Sequence, residues 1–445
     1  MTMKNWIIAT VCGVLVGILT PIVAEASSEH QHESPSFVQP KKPLKGEKSQ
    51  LQKLIDRTEP GGTLFLEKRV YRGSLSITKP ITIIGMDDTK IHSLTTALTV
   101  SDTQNVVLEN ISFQAENTAI VVSNVQNIHL KNVGIGDSMA GIQITKSENI
   151  SLHDVDVLGK EGHFSSKGHA VAIYESKKIT ATDNDIEQVL DGFYLESVED
   201  IHLTNNSIKN SRYAMHMMYS NHIELANNNL FNNMTGFMVM IAKDVQISDN
   251  MVAKNNMLNS LGVYVYDVEN VLFEDNELRE NTTAMDIQNA RDITVEKNVF
   301  LVNGTVLHVQ RSQELFVQQN EFHGNILTVR TDQQGFSLKR NYYDDYEGKD
   351  YNGDQIGDTQ YIATNSFGQW MVRKPVYQYF MESPSVVTLN MMDTEVTENN
   401  TQVVVDEYPI ILKKPFSLEI DIHIWQLLIS SILLISMLII RRRLK

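Results

Sequence analysis

The sequence contains one cysteine, Cys12, and this residue lies inside an apolar N-terminal leader. A chain that loses the leader has no thiol, which excludes disulfide scaffolds, zinc–thiolate fingers, iron–sulfur clusters and cysteine nucleophiles. A soft metal ion would therefore have to be held by methionine and histidine, of which the chain has 18 and 13.

Basic charge is also scarce, with 38 Lys and Arg against 54 Asp and Glu and a formal net charge of −16. A nucleic-acid binder needs a basic stripe to neutralise phosphates. The composition therefore argues against nucleic acid as a partner.

Residues 1–26 have the pattern of a signal peptide. Lys4 precedes an apolar run from Trp6 to Val23, and Ala24-Glu25-Ala26 gives an A-x-A cleavage site. We expect export with cleavage before Ser27, an uncleaved N-terminal anchor being the alternative. Residues 27–47, with several Lys, Pro and Ser, are interpreted as a linker.

The C-terminal residues 421–445 are predicted to form a single transmembrane anchor. Ile424 to Ile440 is a run of seventeen uncharged residues, and three arginines follow it. The positive-inside rule places the arginine tail in the cytoplasm and the rest of the chain outside it.

The middle of the chain repeats the pattern x-Ile-x-Leu-x-Asn with alternating apolar and polar residues, which is typical of strands. The repeats begin at Asn105, Asn127, Asn149, Lys178, Asp200, His222, Asp244, Asn270, Asp292 and Glu314, most of them 22 residues apart. A second short strand follows in most units, as in Gly192-Phe-Tyr-Leu. Asparagines recur at one turn, at positions 184, 206, 228, 250, 276, 298 and 320.

A 22-residue unit cannot bury its own apolar side, but stacked units share a core and can pass asparagine hydrogen bonds along the stack. The pattern predicts an all-β chain, a right-handed parallel β-helix over 48–345 with about 11 coils of about 22 residues. Two longer units predict loop insertions at about Leu158–Ala170 and Asn255–Leu261. A capping helix is expected over Ser49–Arg57, and a C-terminal cap and extension over 346–420.

The second strand of each unit carries the candidate site. Strand alternation turns its second and fourth positions after the opening Gly or Ala outward, while the first and third face the core. Neighbouring units then place four side chains in a two-by-two patch: His216, Met218, Met238 and Met240. Exposed methionines in a block are unusual, because methionine normally fills core gaps.

Thioether and imidazole ligands suit Cu(I), so we predict copper binding at this patch. An apolar docking surface for a partner protein is the alternative that the residues leave open. His163 and His169, in the first insertion, either approach the patch or remain solvated loop residues.

The acidic run after the last coil has part of a calcium-loop pattern. Asp350, Asn352, Asp354 and Asp358 stand at positions 1, 3, 5 and 9 of an EF-hand-like loop. Position 6 is Gln355 where a glycine is usual, and position 12 is Tyr361 where a bidentate Glu is usual. A structural turn that caps the coils and a Ca²⁺ site both remain open.

Three segments together resemble the NosD-type family of nitrous-oxide reductase maturation proteins, described as periplasmic copper-binding β-helices. They are the leader with its coils, the sequence Arg212-Tyr-Ala-Met-His-Met-Met-Tyr-Ser-Asn221, and Asn341-Tyr-Tyr with the Asp350–Asp358 loop. The resemblance covers roughly residues 48–385. The predicted membrane tail departs from the many soluble periplasmic members and suggests a Gram-positive source.

The resemblance implies a non-enzymatic role outside the cytoplasm. Such proteins work with an ABC-type transporter, made of a membrane subunit and an ATPase. They help to pass copper from a membrane-tethered copper chaperone to nitrous-oxide reductase, and the Met/His patch would be the transient Cu(I) site.

Two rival functions share the fold, a polysaccharide lyase or epimerase and a structural surface-binding module. A lyase or epimerase needs a base and a charge-neutralising group on one face. Asp286 and His308 are the nearest such pair, and we expect no Arg or Lys to join them at an outward position.

Overall fold

The computed structural model describes residues 49–331, 336–363, 374–380, 383–389 and 404–411. Contacts between Cα atoms divide the chain into Met1–Glu47 and Lys48–Lys445, and every described residue belongs to the second unit. The predicted signal peptide, linker and transmembrane anchor lie outside the described residues. None of the helices within the described ranges is both long enough and apolar enough to cross a bilayer.

One α-helix, α1 (Gln50–Arg57), precedes the strands. Ser49 is its N-cap, with a side-chain oxygen that accepts a hydrogen bond from the Gln52 amide at 3.1 Å. Its buried residues Leu51 and Ile55 join the apolar core. Two 3₁₀-helices, Phe164–Ser166 and Pro375–Phe380, occur later in the chain.

Residues 384–389 are also helical, and most of the other described residues lie in β-strands and the turns between them. In chain order these are β1 (Thr63–Phe65), β2 (Val70–Arg72), β3 (Leu75–Ile77), β4 (Ile81–Ile84), β5 (Lys90–Ser93), β6 (Leu98–Ala115), β7 (Thr118–Gly136), β8 (Ala140–Thr145), β9 (Glu148–Leu158), β10 (Val171–Tyr174), β11 (Lys177–Thr182), β12 (Asp185–Glu187), β13 (Asp191–Glu196), β14 (Glu199–Thr204), β15 (Ser207–Lys209), β16 (Tyr213–Met218), β17 (Asn221–Ala226), β18 (Asn229–Phe231), β19 (Thr235–Met240), β20 (Lys243–Ser248), β21 (Met251–Ala253), β22 (Leu261–Tyr266), β23 (Glu269–Glu274), β24 (Glu277–Arg279), β25 (Thr283–Gln288), β26 (Arg291–Glu296), β27 (Val299–Leu301), β28 (Thr305–Gln310), β29 (Gln313–Gln318), β30 (Glu321–His323), β31 (Leu327–Thr331), β32 (Ser337–Lys339), β33 (Tyr342–Tyr343), β34 (Tyr361–Ile362) and β35 (Val405–Asp406).

Each coil contributes one segment to each of three parallel sheets, and β6, β7 and β9 run through more than one sheet. Sheet 1 contains the repeat strands from β1 and β4 to β32. Sheet 2 runs from β2 and β5 to β33. Sheet 3 runs from β3 through β8, β10, β13, β16, β19, β22, β25 and β28 to β31. The architecture is the predicted parallel β-helix, with the core enclosed by the three sheets.

The stack has about 13 turns, so the prediction of about 11 coils was too low. The missed turns lie at the N-terminal end, where the spacing is irregular. Thr63 pairs with Thr82, and Thr82 pairs with Val107, which are steps of 19 and 25 residues. The regular 22-residue period begins only after these turns.

The residues that open the repeats are in the left-handed conformation, for example Asn105 at φ 55° and Asn127 at φ 59°. Asparagine tolerates this region better than most residues, because its short side chain bonds locally. The first position of each repeat therefore marks a turn that the backbone requires.

The predicted asparagine ladder is confirmed. Its rungs run from Asn184 through 206, 228, 250, 276, 298 and 320 to Asn341, each side-chain oxygen accepting from the previous rung. The fully buried Asp406 ends the ladder by accepting from Asn341 Nδ2 at 2.9 Å. A second ladder, which the sequence did not suggest, joins residues 233, 255, 281, 303 and 325.

Candidate functional site

The outer surface of sheet 3 carries the candidate site. On its strands the first and third positions face the core as predicted, and Phe193, Leu195, Met215 and Met217 are all 0% exposed. The register pairs Asp191 with Tyr213 and Phe193 with Met215 at the same offset, but position zero between them, Gly192, is not paired. A Cβ at Gly192 would lie 2.5 Å from the Ala214 carbonyl oxygen. The irregularity turns Asp191 toward the outer surface.

The register brings the predicted four residues together. His216 pairs with Met238, and Met218 pairs with Met240, on neighbouring coils. The expectation of exposed methionines was wrong for Met218 and Met238, which are each only 8% exposed, while Met240 is partly exposed; His216 is 5% exposed. The rings of Tyr194 and Tyr213 contact the His216 ring edge to face, with centroids 4.9 and 5.2 Å from it.

His216 belongs to a charged cluster that the sequence analysis missed. Its Nδ1 lies 3.2 Å from Asp191 Oδ2. The guanidinium of Arg212 donates to both oxygens of Asp191, from Nε at 2.8 Å and from Nη2 at 2.7 Å. Burial alone would raise the pKa of Asp191, but its contacts with His169, His216 and Arg212 outweigh burial and hold that pKa well below its usual range. Asp191 is therefore a buried carboxylate that stays ionised.

The first insertion contributes one of its two histidines. His169 Nδ1 lies 3.3 Å from Asp191 Oδ2, and its ring stacks on Tyr194 with centroids 4.7 Å apart. His163 is exposed and bonds within its own loop, to Ser165. The two histidines that the sequence left undecided thus have different positions, and only His169 approaches the cluster.

The other ring nitrogen of His216, Nε2, is the atom of the site that is free to bind a metal ion. Nε2 is buried and has no hydrogen-bond partner among the described residues. Because an ionised carboxylate only accepts hydrogen bonds, Asp191 favours a proton on Nδ1 and leaves the Nε2 lone pair bare. A carboxylate that fixes a histidine in this way is the common second partner of a metal-binding histidine.

Two tyrosines border the patch on the N-terminal side. The Tyr194 hydroxyl donates to Glu196 Oε2 at 2.8 Å. The hydroxyl oxygen of Tyr194 also lies 3.9 Å from Met218 Sδ. Burial, with smaller contributions from Glu196 and Asp191, raises the pKa of Tyr174 to about 12. Both rings therefore remain neutral, and together with Ala172, Met218 and Met240 they form a small apolar cluster outside the main core.

A second polar cluster lies further along sheet 3, and it corrects the expectation that no Arg or Lys joins Asp286 and His308. His308 Nδ1 lies 2.9 Å from Asp286 Oδ2 and 2.9 Å from Arg330 Nη2. Arg330 follows His308 in the same outward column. The sequence analysis ended the column at His308, one strand too early.

The acidic loop folds around its own backbone amides. Asp350 Oδ1 accepts from the Gly353 amide at 2.6 Å, and Asp354 Oδ1 accepts from the Ile356 amide at 2.8 Å. Gln355 takes φ 70° at the position where the calcium-loop pattern has glycine. The oxygens of Asn352 and Asp358 likewise accept from loop amides. This geometry is that of a closed turn, and calcium binding stays a prediction.

One further group has metal-ligand geometry within the described ranges. Ligand atoms of Glu199, Asp200 and His222 lie within 4.8 Å of one another at a turn. The His222 side chain is 56% exposed and bonds to carboxylates on both sides, so these contacts already account for the arrangement.

The fold and the outer face of sheet 3 define a β-solenoid with a site built on one sheet. Residues 81–230 match the family model "Right handed beta helix region", which confirms the predicted right-handed parallel β-helix. Among solved structures, the surface protein and adhesin PfbA of Streptococcus pneumoniae is 10% identical with a TM-score of 0.50, covering 63% of this chain and 94% of the adhesin. This likeness concerns the fold alone.

Residues 156–369 match the family model described as "Periplasmic copper-binding protein (NosD)", which confirms the resemblance to the NosD-type family over this part of the chain. The description of that family names copper binding and a periplasmic location. The matched range includes His169, both clusters on sheet 3 and the acidic loop.

Two enzymes also share the general architecture. The family 28 exopolygalacturonase of Yersinia enterocolitica is 11% identical with a TM-score of 0.47, covering 66% of this chain and 74% of the enzyme. The periplasmic alginate epimerase AlgG is 11% identical with a TM-score of 0.45, covering 64% and 83%. Neither likeness indicates an activity for this chain. A search of curated proteins gave no match to the chain.

Proposed function

We propose that this protein binds Cu(I) transiently at His216, Met218, Met238 and Met240 and hands it on during assembly of the copper sites of nitrous-oxide reductase. The observation that carries the proposal is the bare, buried Nε2 of His216 beside three methionines. One imidazole and thioethers form a soft, neutral ligand set, which favours Cu(I) over hard cations.

The surroundings suit a cargo that enters and leaves. Asp191 and Arg212 fix the imidazole, so His216 needs no rearrangement to offer Nε2. Met240 is more open to solvent than Met218 and Met238 and would be the point of transfer. Methionine is flexible and polarizable, so ligands can be exchanged one at a time.

The proposed partners are an ABC-type transporter, with its membrane subunit and ATPase, a membrane-tethered copper chaperone and nitrous-oxide reductase. They rest on the family resemblance. We propose a non-enzymatic role, with the β-helix outside the cytoplasm and the C-terminal helix as its anchor in a Gram-positive membrane. Co-purification of the full chain with the ABC subunits from native membranes tests the partnership, and its absence would contradict it.

The copper site is tested by competition with a chromogenic Cu(I) chelator on the purified full chain. We expect about one Cu(I) per chain, and at least about tenfold weaker binding after His216→Ala with Met218→Ala, tenfold being 1.4 kcal/mol. The matched control is Met215→Leu with Met217→Leu, on the same strand but facing the core. Core Met-to-Leu changes preserve volume and should leave the affinity unchanged.

Two results would contradict the site assignment. One is unchanged Cu(I) affinity in the His216/Met218 variant, and the other is equal loss in the core control. If the purified chain turned over uronate polymers, seen as new absorbance from unsaturated ends, the lyase alternative would replace this proposal.

A further inference from the structure

The cluster of Asp286, His308 and Arg330 has no role in the proposed copper site. It lies on the same face of sheet 3 but on later coils, with the strands of Met238 and Tyr264 between it and His216. The three side chains are 7%, 6% and 8% exposed, respectively. Their arrangement therefore needs an explanation of its own.

The partly buried Arg212 and the buried Arg330 of this face differ in their partners. Arg212 is neutralised by Asp191 through two hydrogen bonds of 2.8 and 2.7 Å. Arg330 has no carboxylate within hydrogen-bonding distance in the described part of the chain, and its buried Nε has no partner there. Burial lowers the pKa of Arg330, and only the more distant charge of Asp286 opposes this effect. A buried guanidinium without a directly bonded carboxylate is only partly compensated, and an external anion that bonds to it would complete the pair.

The contacts of His308 are mutually incompatible. Its Nδ1 lies 2.9 Å from both Arg330 Nη2 and Asp286 Oδ2. A guanidinium only donates and a carboxylate only accepts, so one ring nitrogen cannot satisfy both groups at once. If Arg330 turned to another acceptor, Nδ1–H could donate to Asp286 and the conflict would end.

We propose that Arg330 is the anchor of a binding site for an external oxyanion, the carboxylate of a sugar acid or a phosphate group. The planar fork of arginine matches two oxygens of such a group. Thr305, on the strand of His308, also has a buried oxygen, Oγ1, without a partner among the described residues. Gln288 and Gln310 flank the cluster and are only partly buried, which puts the entry on the solvent side of the sheet.

The test is calorimetric titration of the purified full chain with D-galacturonate, with inorganic phosphate and with neutral D-galactose. We expect one or both anions to bind and galactose not to bind, and the anion that binds identifies the source of the oxyanion. Arg330→Gln should weaken anion binding at least about tenfold, as expected for loss of a charge-assisted pair. Arg291→Gln, an exposed arginine on sheet 1, removes the same charge and should leave binding unchanged.

A second readout separates binding from folding. Either anion, if it binds at Arg330, should raise the unfolding midpoint of the wild type but not that of Arg330→Gln, because only the wild type gains binding energy in the folded state. Arg330→Lys retains the charge but not the fork, so it should fold and still bind the anion more weakly. The proposal is overturned if neither anion binds, if galactose binds equally well, or if Arg330→Gln binds the anion, or is stabilised by it, like the wild type.

Discussion

Replacement of Asp191 by asparagine tests how the candidate copper site is supported. Asn keeps the shape of the side chain but removes the charge that holds Arg212 and His216. Breaking a buried ion pair by removing one partner costs about 3–5 kcal/mol. Because the Arg212 side chain is 32% exposed, water replaces part of the lost interaction. We expect the free energy of unfolding to fall by about 2–3 kcal/mol at pH 7.

The same change predicts a pH dependence. The folded-state pKa of Asp191 lies well below its usual value, so its contribution to stability is complete above the unfolded pKa of about 4 and is lost as the pH falls below it. The difference between wild type and Asp191→Asn should therefore be constant from pH 7 to pH 5 and shrink at lower pH. Urea unfolding followed by circular dichroism measures both effects.

The copper site should respond to Asp191→Asn as well. Loss of the group that orients a metal-binding histidine lowers metal affinity by about 10- to 100-fold. Asp267→Asn is the control, an exposed residue in the left-handed region where asparagine fits. The reasoning fails if Asp191→Asn changes stability by less than about 0.5 kcal/mol, which is the range of ordinary surface substitutions. It fails also if the stability difference persists unchanged below pH 4.

Three further outcomes are expected. Asn228→Ala should lower the free energy of unfolding by about 3–5 kcal/mol, because it leaves buried donors and acceptors of Asn206, Leu203 and Asn250 unpaired; denaturant unfolding measures this, with exposed Asn229→Ala as the control. His169→Ala should weaken Cu(I) binding less than His216→Ala, because the His169 ring only flanks Asp191 and Tyr194; chelator competition decides the order. Millimolar Ca²⁺ should leave the unfolding midpoint unchanged, because the oxygens of the Asp350 loop already accept from loop amides; a rise that Asp354→Asn abolishes would instead identify a calcium site.

The architecture of the regular coils could be predicted because it follows from the spacing of apolar and polar residues along the chain. The 22-residue repeat locates each strand, and the two-residue alternation within a strand determines which side chains face inward. Met215 and Met217 are buried as that rule requires. The same register placed His216 beside Met238. The first turns of the stack were not predicted, because successive strands there are 19 and 25 residues apart and do not follow the 22-residue repeat.

The environment of the site could not be predicted from spacing. Asp191 contacts His216 because strand alternation is interrupted at the unpaired Gly192, and strict alternation would have assigned Asp191 to the core face. His169 reaches the same carboxylate through the path of an insertion whose length says nothing about its direction. One recognisable signal was present, since Asp191 and Arg212 stand 21 residues apart, nearly one coil.

The sequence by itself determined the scarcity of thiols and of basic charge, the coil period, the inward and outward columns and the methionine-rich patch. Only the tertiary structure decided which of these groups are buried, that Asp191 and Arg212 neutralise each other, and that Arg330 joins Asp286 and His308 with an unpaired Nε. The physical reason is that periodicity is a property of neighbouring residues in the chain. Burial, tautomer choice and charge compensation depend instead on atoms that different coils and loops bring within about 3 Å of one another.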